Sequence, residues 1–387
     1  MANILFITGD YLPFPSSNGI CVQGIADVLV RAGHSVYLLT INDALSGQCK
    51  QYNNIIVYYV YGENNHISAV RKLFSYCEAA KTVNSLYLKA TEIIRKHNIE
   101  KIVCAYRPAE TIVCGMKLAK KYNDCKLINY FMDLPTDVEP ENLAKKMIYI
   151  FNSKRFLRQS VSKASATISF ESYYLNFEKI LRKTYKNKVI YAGMPKLIMP
   201  TNKNLSSMVH DTINIVYAGR LYPDFREPDY ALDFLRKIVL SEGNIYLHFY
   251  SWGCEENLKK YKSVFGEKLV LHGKVDPNAA LEAINSADII LNISNNLPNQ
   301  VASKVMEYFS TGKPVLNVRF RKDDPGNTIY EIYPLIYNIN KYDRDSNTEK
   351  CLEFIQENAF NHISYNHILQ LYHEHTPEFT ADLILNQ

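Results

Sequence analysis

Nothing in this sequence approaches the ~20 consecutive apolar residues that a bilayer-spanning helix requires, although hydrophobic residues fill 47% of its 387 positions. The opening Met-Ala-Asn-Ile-Leu-Phe-Ile-Thr is too short in apolar length for a signal peptide and reads as a strand. Eight cysteines (21, 49, 77, 104, 114, 125, 254 and 351) are scattered without a C-x-x-C pair. Free thiols in a reducing cytoplasm are therefore expected, rather than a disulfide framework or a metal cage. There is no G-x-G-x-x-G, so a nicotinamide or flavin dinucleotide fingerprint is not supported. Charge of either sign is weak: 44 Lys+Arg against 39 Asp+Glu leaves +5, too little by itself to suggest nucleic acid. Repeats and low-complexity tracts are missing too, and the apolar content argues against global disorder.

What is present is a steady alternation of short apolar runs and helical patterns. Asn3–Thr8 is a continuous apolar strand, followed by a loop over 9–19, a helix from about Cys21 to Arg31 closed by Gly33, and a strand over 34–40. Further strands are expected at 55–61, 101–105, 126–131, 166–170 and 188–192, with helices over 83–97 and 111–122. The polar span 200–212 lacks periodicity and reads as a linker. A second series follows: a strand over 213–220, a helix from about Glu227, strands at 245–250 and 269–272, a helix over 278–286 and a strand over 287–292. The predicted class is α/β, with two doubly wound Rossmann-like domains at 1–200 and 201–373.

Three stretches carry candidate chemistry. Asn295, Asn296, Pro298 and Asn299 break regular structure before a short helix expected to begin near Ser303, a residue type that caps helix N-termini. Gly312-Lys-Pro ends that helix, and Val315, Leu316 and Val318 start a strand. Asp133 stands just past a strand end, where ligands of open α/β sheets gather; a carboxylate held there can accept a proton or position a hydroxyl. The span 141–165 carries six cations (Lys145, Lys146, Lys154, Arg155, Arg158, Lys163) against Glu141 alone, interleaved with apolar residues at helical spacing. Such a helix can lie against an anionic membrane surface.

The run from Asn299 to Glu307 resembles the donor-site motif of retaining nucleotide-sugar glycosyltransferases, particularly the family 4 type of the GT-B fold. That motif is Glu, seven residues, Glu; here Glu307 fills the second place and Asn299 the first. The resemblance implies that Glu307 holds the nucleotide ribose and that Asn299 faces the donor sugar. It implies that N–H groups near Ser303 and Lys304 help with charge on the phosphates. "YAGRLYPDFREPDYALDFLRKI" is similar to the family's diphosphate-binding unit, which assigns that task to Arg220 and Arg226. Gly273-Lys274-Val275 resembles the loop whose backbone holds the nucleobase. "PFPSSNGICVQGIADVLVRAGHSVYLLT" is similar to the first acceptor-domain unit, with Gly19 in its glycine loop and Asn18 replacing a second glycine. Met132-Asp-Leu-Pro135 resembles the Asp-Leu-(Trp)-Pro of related polysaccharide transferases.

By this resemblance the two domains are of GT-B type and face a central cleft. The last helix, within about 374–387, returns to the first domain. The enzyme moves a sugar from a nucleoside diphosphate sugar to a saccharide or lipid-linked acceptor in envelope polysaccharide synthesis, with retention and without a cofactor or metal. It is expected to work in the cytoplasm or at the inner face of the membrane, and to need no nucleic acid. The alternatives are a GT-B sugar-nucleotide epimerase or hydrolase, and a non-catalytic nucleotide-sugar-binding partner.

Overall fold

Residues 3–8 are buried at every position after the first, the pattern of a strand covered on both faces. They form β1 (Asn3–Thr8) of a computed structural model that describes residues 1–62, 79–135, 143–200, 212–343 and 347–387. The chain divides into two compact units, one of residues 1–195 with 374–387 and one of residues 196–373. Glu141 and most of the expected linker, 201–211, lie outside the described residues.

In the first unit β1 is followed by α1 (Ser17–Arg31), β2 (Ser35–Ile41), β3 (Cys49–Tyr52), β4 (Ile55–Val60), α2 (Ala80–His97), β5 (Lys101–Tyr106), α3 (Ala109–Lys121) and β6 (Lys126–Phe131). Next come α4 (Leu143–Lys163), β7 (Ala166–Phe170), α5 (Tyr174–Ile180), α6 (Lys183–Lys186) and β8 (Val189–Ala192). The eight strands lie in the order β3-β4-β2-β1-β5-β6-β7-β8, all parallel but for the β3–β4 hairpin. One face is packed by α2, α3 and α4 through residues such as Leu86, Ile112 and Leu157. The other is covered by α1 and by the chain's final helix, whose Ala381 and Ile384 join Val22, Ile25 and Leu29 in one apolar cluster.

Helix α1 starts four residues earlier than its sequence pattern predicts. Ser16 is the cap, accepting from the Asn18 N–H, and Asp10 holds Ser16 through its N–H (2.7 Å) and hydroxyl (2.8 Å). Gly19 therefore lies in the first helical turn, not in the loop. A Cβ there would come within 2.4 Å of Asp10 Oδ1, so its smallness serves packing of the cap.

The second unit runs β9 (Ile213–Arg220), α7 (Asp229–Ser241), β10 (Ile245–Trp252), α8 (Glu255–Phe265), β11 (Leu269–Leu271), α9 (Pro277–Ser286) and β12 (Ile289–Ile293). It continues with α10 (Val305–Ser310), β13 (Val315–Arg319), α11 (Asn327–Tyr330), β14 (Ile336–Asn340), α12 (Thr348–Asn358) and α13 (Tyr365–Tyr372). Six parallel strands stand in the order β11-β10-β9-β12-β13-β14. The chain then returns to the first unit as α14 (Pro377–Leu385), capped by Thr376 with Pro377 in its first turn. Helices α7, α8 and α12 cover one sheet face. Burial of α7 residues Leu232, Leu235 and Ile238 contributes about 1.5–3 kcal/mol each.

Helix α10 is shorter than expected and starts later. Its cap position is Lys304, with no side-chain capping bond, and Ser303 sits in the turn before it. Helix α7 likewise begins at Asp229, with Pro228 as its cap residue. After α10, Gly312 adopts φ +70°, and its carbonyl accepts from the Ile363 N–H at 2.8 Å. A Cβ on Gly312 would fall 1.9 Å from the Ile363 carbonyl oxygen. Gly312→Ala is expected to lower unfolding stability by about 2 kcal/mol or more, read as a fall in the urea midpoint at unchanged slope.

Candidate functional site

The strand order of the second unit reverses direction between β9 and β12: the chain steps outward to β10 and β11 on one side, then to β12, β13 and β14 on the other. Such a switch point leaves a crevice at the carboxyl ends of the two central strands. Arg220 is the last residue of β9 and is exposed. The loop beyond it turns back on itself, with Tyr222 and Arg226 exchanging both backbone hydrogen bonds (3.0 and 2.9 Å). This tight turn sets both guanidinium groups against one ring: Cζ of Arg220 is 4.6 Å and Cζ of Arg226 5.7 Å from the Tyr222 centroid. Phe225 stacks on the same ring at 4.5 Å.

Arg226 is held further by two hydrogen bonds. Its Nε donates to Asn295 Oδ1 at 2.8 Å and an Nη donates to the Arg220 carbonyl at 3.3 Å. Asn295 is buried after β12, and its own amide donates to the Gln300 carbonyl at 3.2 Å. The Asn296 N–H donates to the Phe225 carbonyl at 2.7 Å, so the loops after β9 and β12 are sewn together. Neither arginine has a carboxylate within ion-pair distance among the described residues. Two neighbouring guanidinium groups without an acid partner have the chemistry to pair with an anion that presents several oxygens.

Glu307 stands on α10, a helix whose Tyr308 and Lys304 meet the end of β9 at Ala218 and Gly219. Its Oε2 accepts from Lys304 Nζ at 2.7 Å and its Oε1 from Lys196 Nζ at 3.4 Å. Lys196 also donates to Ser303 Oγ at 3.3 Å and is only 4% exposed. Burial pushes the Glu307 carboxyl up, but the ammonium groups of Lys304 and Lys196 outweigh it and hold it below its ordinary value. Lys304 passes close to Gly219, its Cδ 3.7 Å from where a Cβ would stand, an ordinary van der Waals distance. Tyr308, one residue after Glu307, donates to the Ala218 carbonyl at 2.7 Å and fixes α10 to the end of β9.

The structure thus brings together Arg220, Arg226, Ser303, Lys304 and Glu307, five of the residues singled out in the sequence. Asn299 lies in the same β12–α10 loop, its side chain without a hydrogen-bond partner among the described residues. Gly273, Lys274 and Val275 form the loop after β11; Gly273 takes φ +71°, and Lys274 Nζ lies 5.6 Å from the Trp252 ring at the end of β10. Lys196 and Tyr222 escaped sequence reasoning, and Asn295 was read only as a residue that breaks regular structure. A lone lysine after Met-Pro carries no pattern, and its partner is more than a hundred residues away.

In the first unit the switch point falls between β1 and β5. Asp133, past the end of β6, accepts from Asn18 Nδ2 at 3.0 Å, and its Oδ2 lies 4.0 Å from Arg107 Nε. Gly19 does not reach this carboxylate by itself; it shapes the α1 start from which Asn18 does. Gly9 lets the β1 loop press on the loop after β5, since a Cβ there would fall 2.3 Å from Pro108 Cδ. Among the described residues no three His, Cys, Asp or Glu side chains cluster to hold a metal. The one Asp-x-Asp spacing in the chain pairs Asp343 with residue 345, which lies outside the described residues.

Because its folded value is depressed, the Glu307 carboxylate stabilises the fold above the ordinary carboxylate range, and that contribution is lost as pH falls through the lowered value. Glu307→Gln is expected to cost about 2–4 kcal/mol at neutral pH by removing the negative charge that faces Lys304 and the buried Lys196. Urea titrations at pH 7 and below pH 4.5 should show the difference from wild type shrinking at the lower pH.

No family model matches the sequence. No curated protein sequence matches it either. Solved structures do. A sucrose-phosphate synthase from Thermosynechococcus elongatus superposes with a TM-score of 0.66 at 12% identity, over 100% of this chain and 98% of that one. A glycosyltransferase from Rickettsia africae ESF-5 gives 0.63 at 13% identity, covering 100% and 97%. A putative UDP-N-acetylglucosamine 2-epimerase from Listeria monocytogenes gives 0.63 at 12%, covering 99% and 94%. At these identities the likeness shows the fold: α/β, with two parallel-sheet Rossmann-like domains of the GT-B type.

Proposed function

We propose that the protein is a glycosyltransferase that moves a sugar from a nucleoside diphosphate donor to a hydroxyl of a saccharide or lipid-linked acceptor. The observation that carries this reading is the pair Arg220 and Arg226 on the Tyr222 ring, without acid partners, at the switch-point end of β9. A diphosphate presents enough oxygens for both planar forks, and charge grows on it as the sugar–phosphate bond breaks. Because both cations are already positioned, little reorganisation accompanies that step. The backbone N–H groups near Ser303 and Lys304 add to the same field. This scheme gives the diphosphate's charge to arginine and lysine rather than to a metal.

Glu307, kept ionised by its lysines, is an acceptor-only group suited to the ribose hydroxyls. The Gly273–Val275 loop meets the base through its backbone. Asn299 stands at the sugar with an amide, which donates as well as accepts. Asp133, oriented by Asn18, takes or positions the acceptor hydroxyl's proton. No residue stands out as a covalent nucleophile, so attack from the face that the leaving group vacates accounts for retention. The likeness to an epimerase supports a second reading, in which a nucleotide sugar is turned over with no acceptor present.

Helix α4 supports a membrane-bound acceptor. It carries no acid, and Met147 (70% exposed) and Phe151 (65% exposed) stand one turn apart, beside exposed Lys154, Arg155 and Arg158. Apolar side chains among cations suit the boundary of an anionic bilayer, where each cation contributes about 1 kcal/mol. Among the described residues no helix is long and apolar enough to cross a membrane. The proposed location is the cytoplasmic face of the membrane, where the donor is supplied.

Calorimetric titration with UDP, GDP, dTDP and CDP is expected to show micromolar binding of at least one, weakened by ~1–3 kcal/mol in Arg226→Ala and in Glu307→Ala. Absence of binding to the folded wild type for all four overturns the donor site. Binding without turnover on any donor and acceptor identifies a non-catalytic binder instead. In liposome flotation, Lys145/Lys146/Lys154/Arg155→Ser and Met147/Phe151→Ser variants should both float less than wild type on anionic vesicles. Equal flotation removes the membrane assignment.

A further inference from the structure

Four polar side chains run in line across the sheet face of the second unit opposite the α7–α8 core, ending beside the Gly273–Val275 loop. Asp288 Oδ2 accepts from the Asn214 backbone N–H at 2.8 Å and from Asn214 Nδ2 at 3.0 Å. The Thr212 carbonyl also accepts from Nδ2, at 3.4 Å. With its amide nitrogen committed to these two oxygens, Asn214 turns Oδ1 toward His248 Nε2, 3.0 Å away. An amide oxygen only accepts, so His248 Nε2 carries the hydrogen.

The remaining assignments follow in sequence. His248 is 1% exposed, and burial, with His272 beside it, pushes its pKa down to about 4; the imidazole is neutral and has a single N–H. Its Nδ1 is therefore a lone pair, and at 3.1 Å it accepts from Nε2 of His272. His272, its own pKa lowered by burial, is then also a neutral ring with its hydrogen on Nε2. That leaves Nδ1 of His272 as an acceptor, and it has no protein partner among the described residues. The ring is half-buried and stacks on Tyr250, with centroids 3.8 Å apart and planes 4° from parallel. Its orientation and its tautomer are both set from behind.

His272 directly precedes Gly273, at the carboxyl end of β11 and two strands from Arg220. Two strand spacings are about 10 Å along the sheet edge, of the order of the reach from a nucleotide's phosphates to its base. We propose that His272 is a base-selecting residue of the nucleotide site, its Nδ1 accepting the ring N–H of uracil, thymine or guanine. The matching ring nitrogens of cytosine and adenine carry lone pairs, so two acceptors would face each other and those bases are rejected. This inference rests on the nucleotide-donor reading above and adds the class of base to it. Tyr250 and His248 act through His272: one holds the plane of its ring, the other its hydrogen.

The test is a titration of wild type and His272→Phe with UDP, dTDP, GDP, CDP and ADP. Wild type is expected to bind one of the first three about tenfold more tightly than CDP and ADP. His272→Phe keeps an aromatic ring on Tyr250 and should bring all five within about twofold of one another. Preference for CDP or ADP in wild type, or an undiminished preference in His272→Phe, overturns the assignment while the diphosphate site stands. No binding of any nucleotide to the folded wild type overturns both. Independently of any ligand, nitrogen-15 NMR of the wild-type histidines should show Nδ1 of His272 unprotonated and Nε2 protonated at neutral pH. A protonated Nδ1 refutes the proposal.

Discussion

The 2.8 Å hydrogen bond from Arg226 Nε to Asn295 Oδ1 ties the loop after β9 to the loop after β12 across the point where the sheet changes direction. Each partner is fixed in turn: Arg226 by its backbone exchange with Tyr222, Asn295 by its amide bond to the Gln300 carbonyl. The cationic crevice depends on that linkage. Without it, two like charges on a flexible loop would separate, since their repulsion in water has nothing to oppose it. With it, the aromatic ring between them offsets part of the repulsion and holds the field in place.

A different balance governs Glu307. Its carboxylate is largely withdrawn from water, which alone would favour the neutral acid, yet ammonium groups approach both of its oxygens. The same arrangement restrains Lys304, whose long chain is partly exposed. Buried ion pairs of this kind add little net stability over apolar packing but fix geometry. The site is therefore built from charges whose partners determine where they point.

The fold was legible because both sheets are parallel and covered on their two faces, so their strands are short apolar runs that stand out against helical periodicity. The β1, β6, β7 and β9 segments follow that signal. The β3 hairpin strand, Cys49–Tyr52, did not, because an exposed edge needs no apolar run. Within the site, Arg220, Arg226 and Glu307 were named from the resemblance of their segments to a family's motifs; the fold sets Arg220 at the end of β9, Arg226 in the loop after it and Glu307 on α10. The start of α10 was not legible: Ser303 has the chemistry of a cap, but the cap position is Lys304, and the Ser303 hydroxyl accepts from Lys196. Gly19 was misplaced for a related reason, since Asp10 and Ser16 pull the start of α1 forward through bonds that no periodicity reveals. Tertiary partners decided both boundaries.

The path of the chain has one further consequence. The first unit is left at Pro195 and regained only at Glu374, and the apolar stripe of α1 is covered in part by Ala381 and Ile384 of α14. During vectorial synthesis, everything from residue 196 to residue 373 emerges from the ribosome before that stripe can be closed. The second unit, being continuous in sequence, can complete its core without waiting. The segment made first is thus the last to be finished, and for that interval the nascent chain presents an open apolar seam to chaperones.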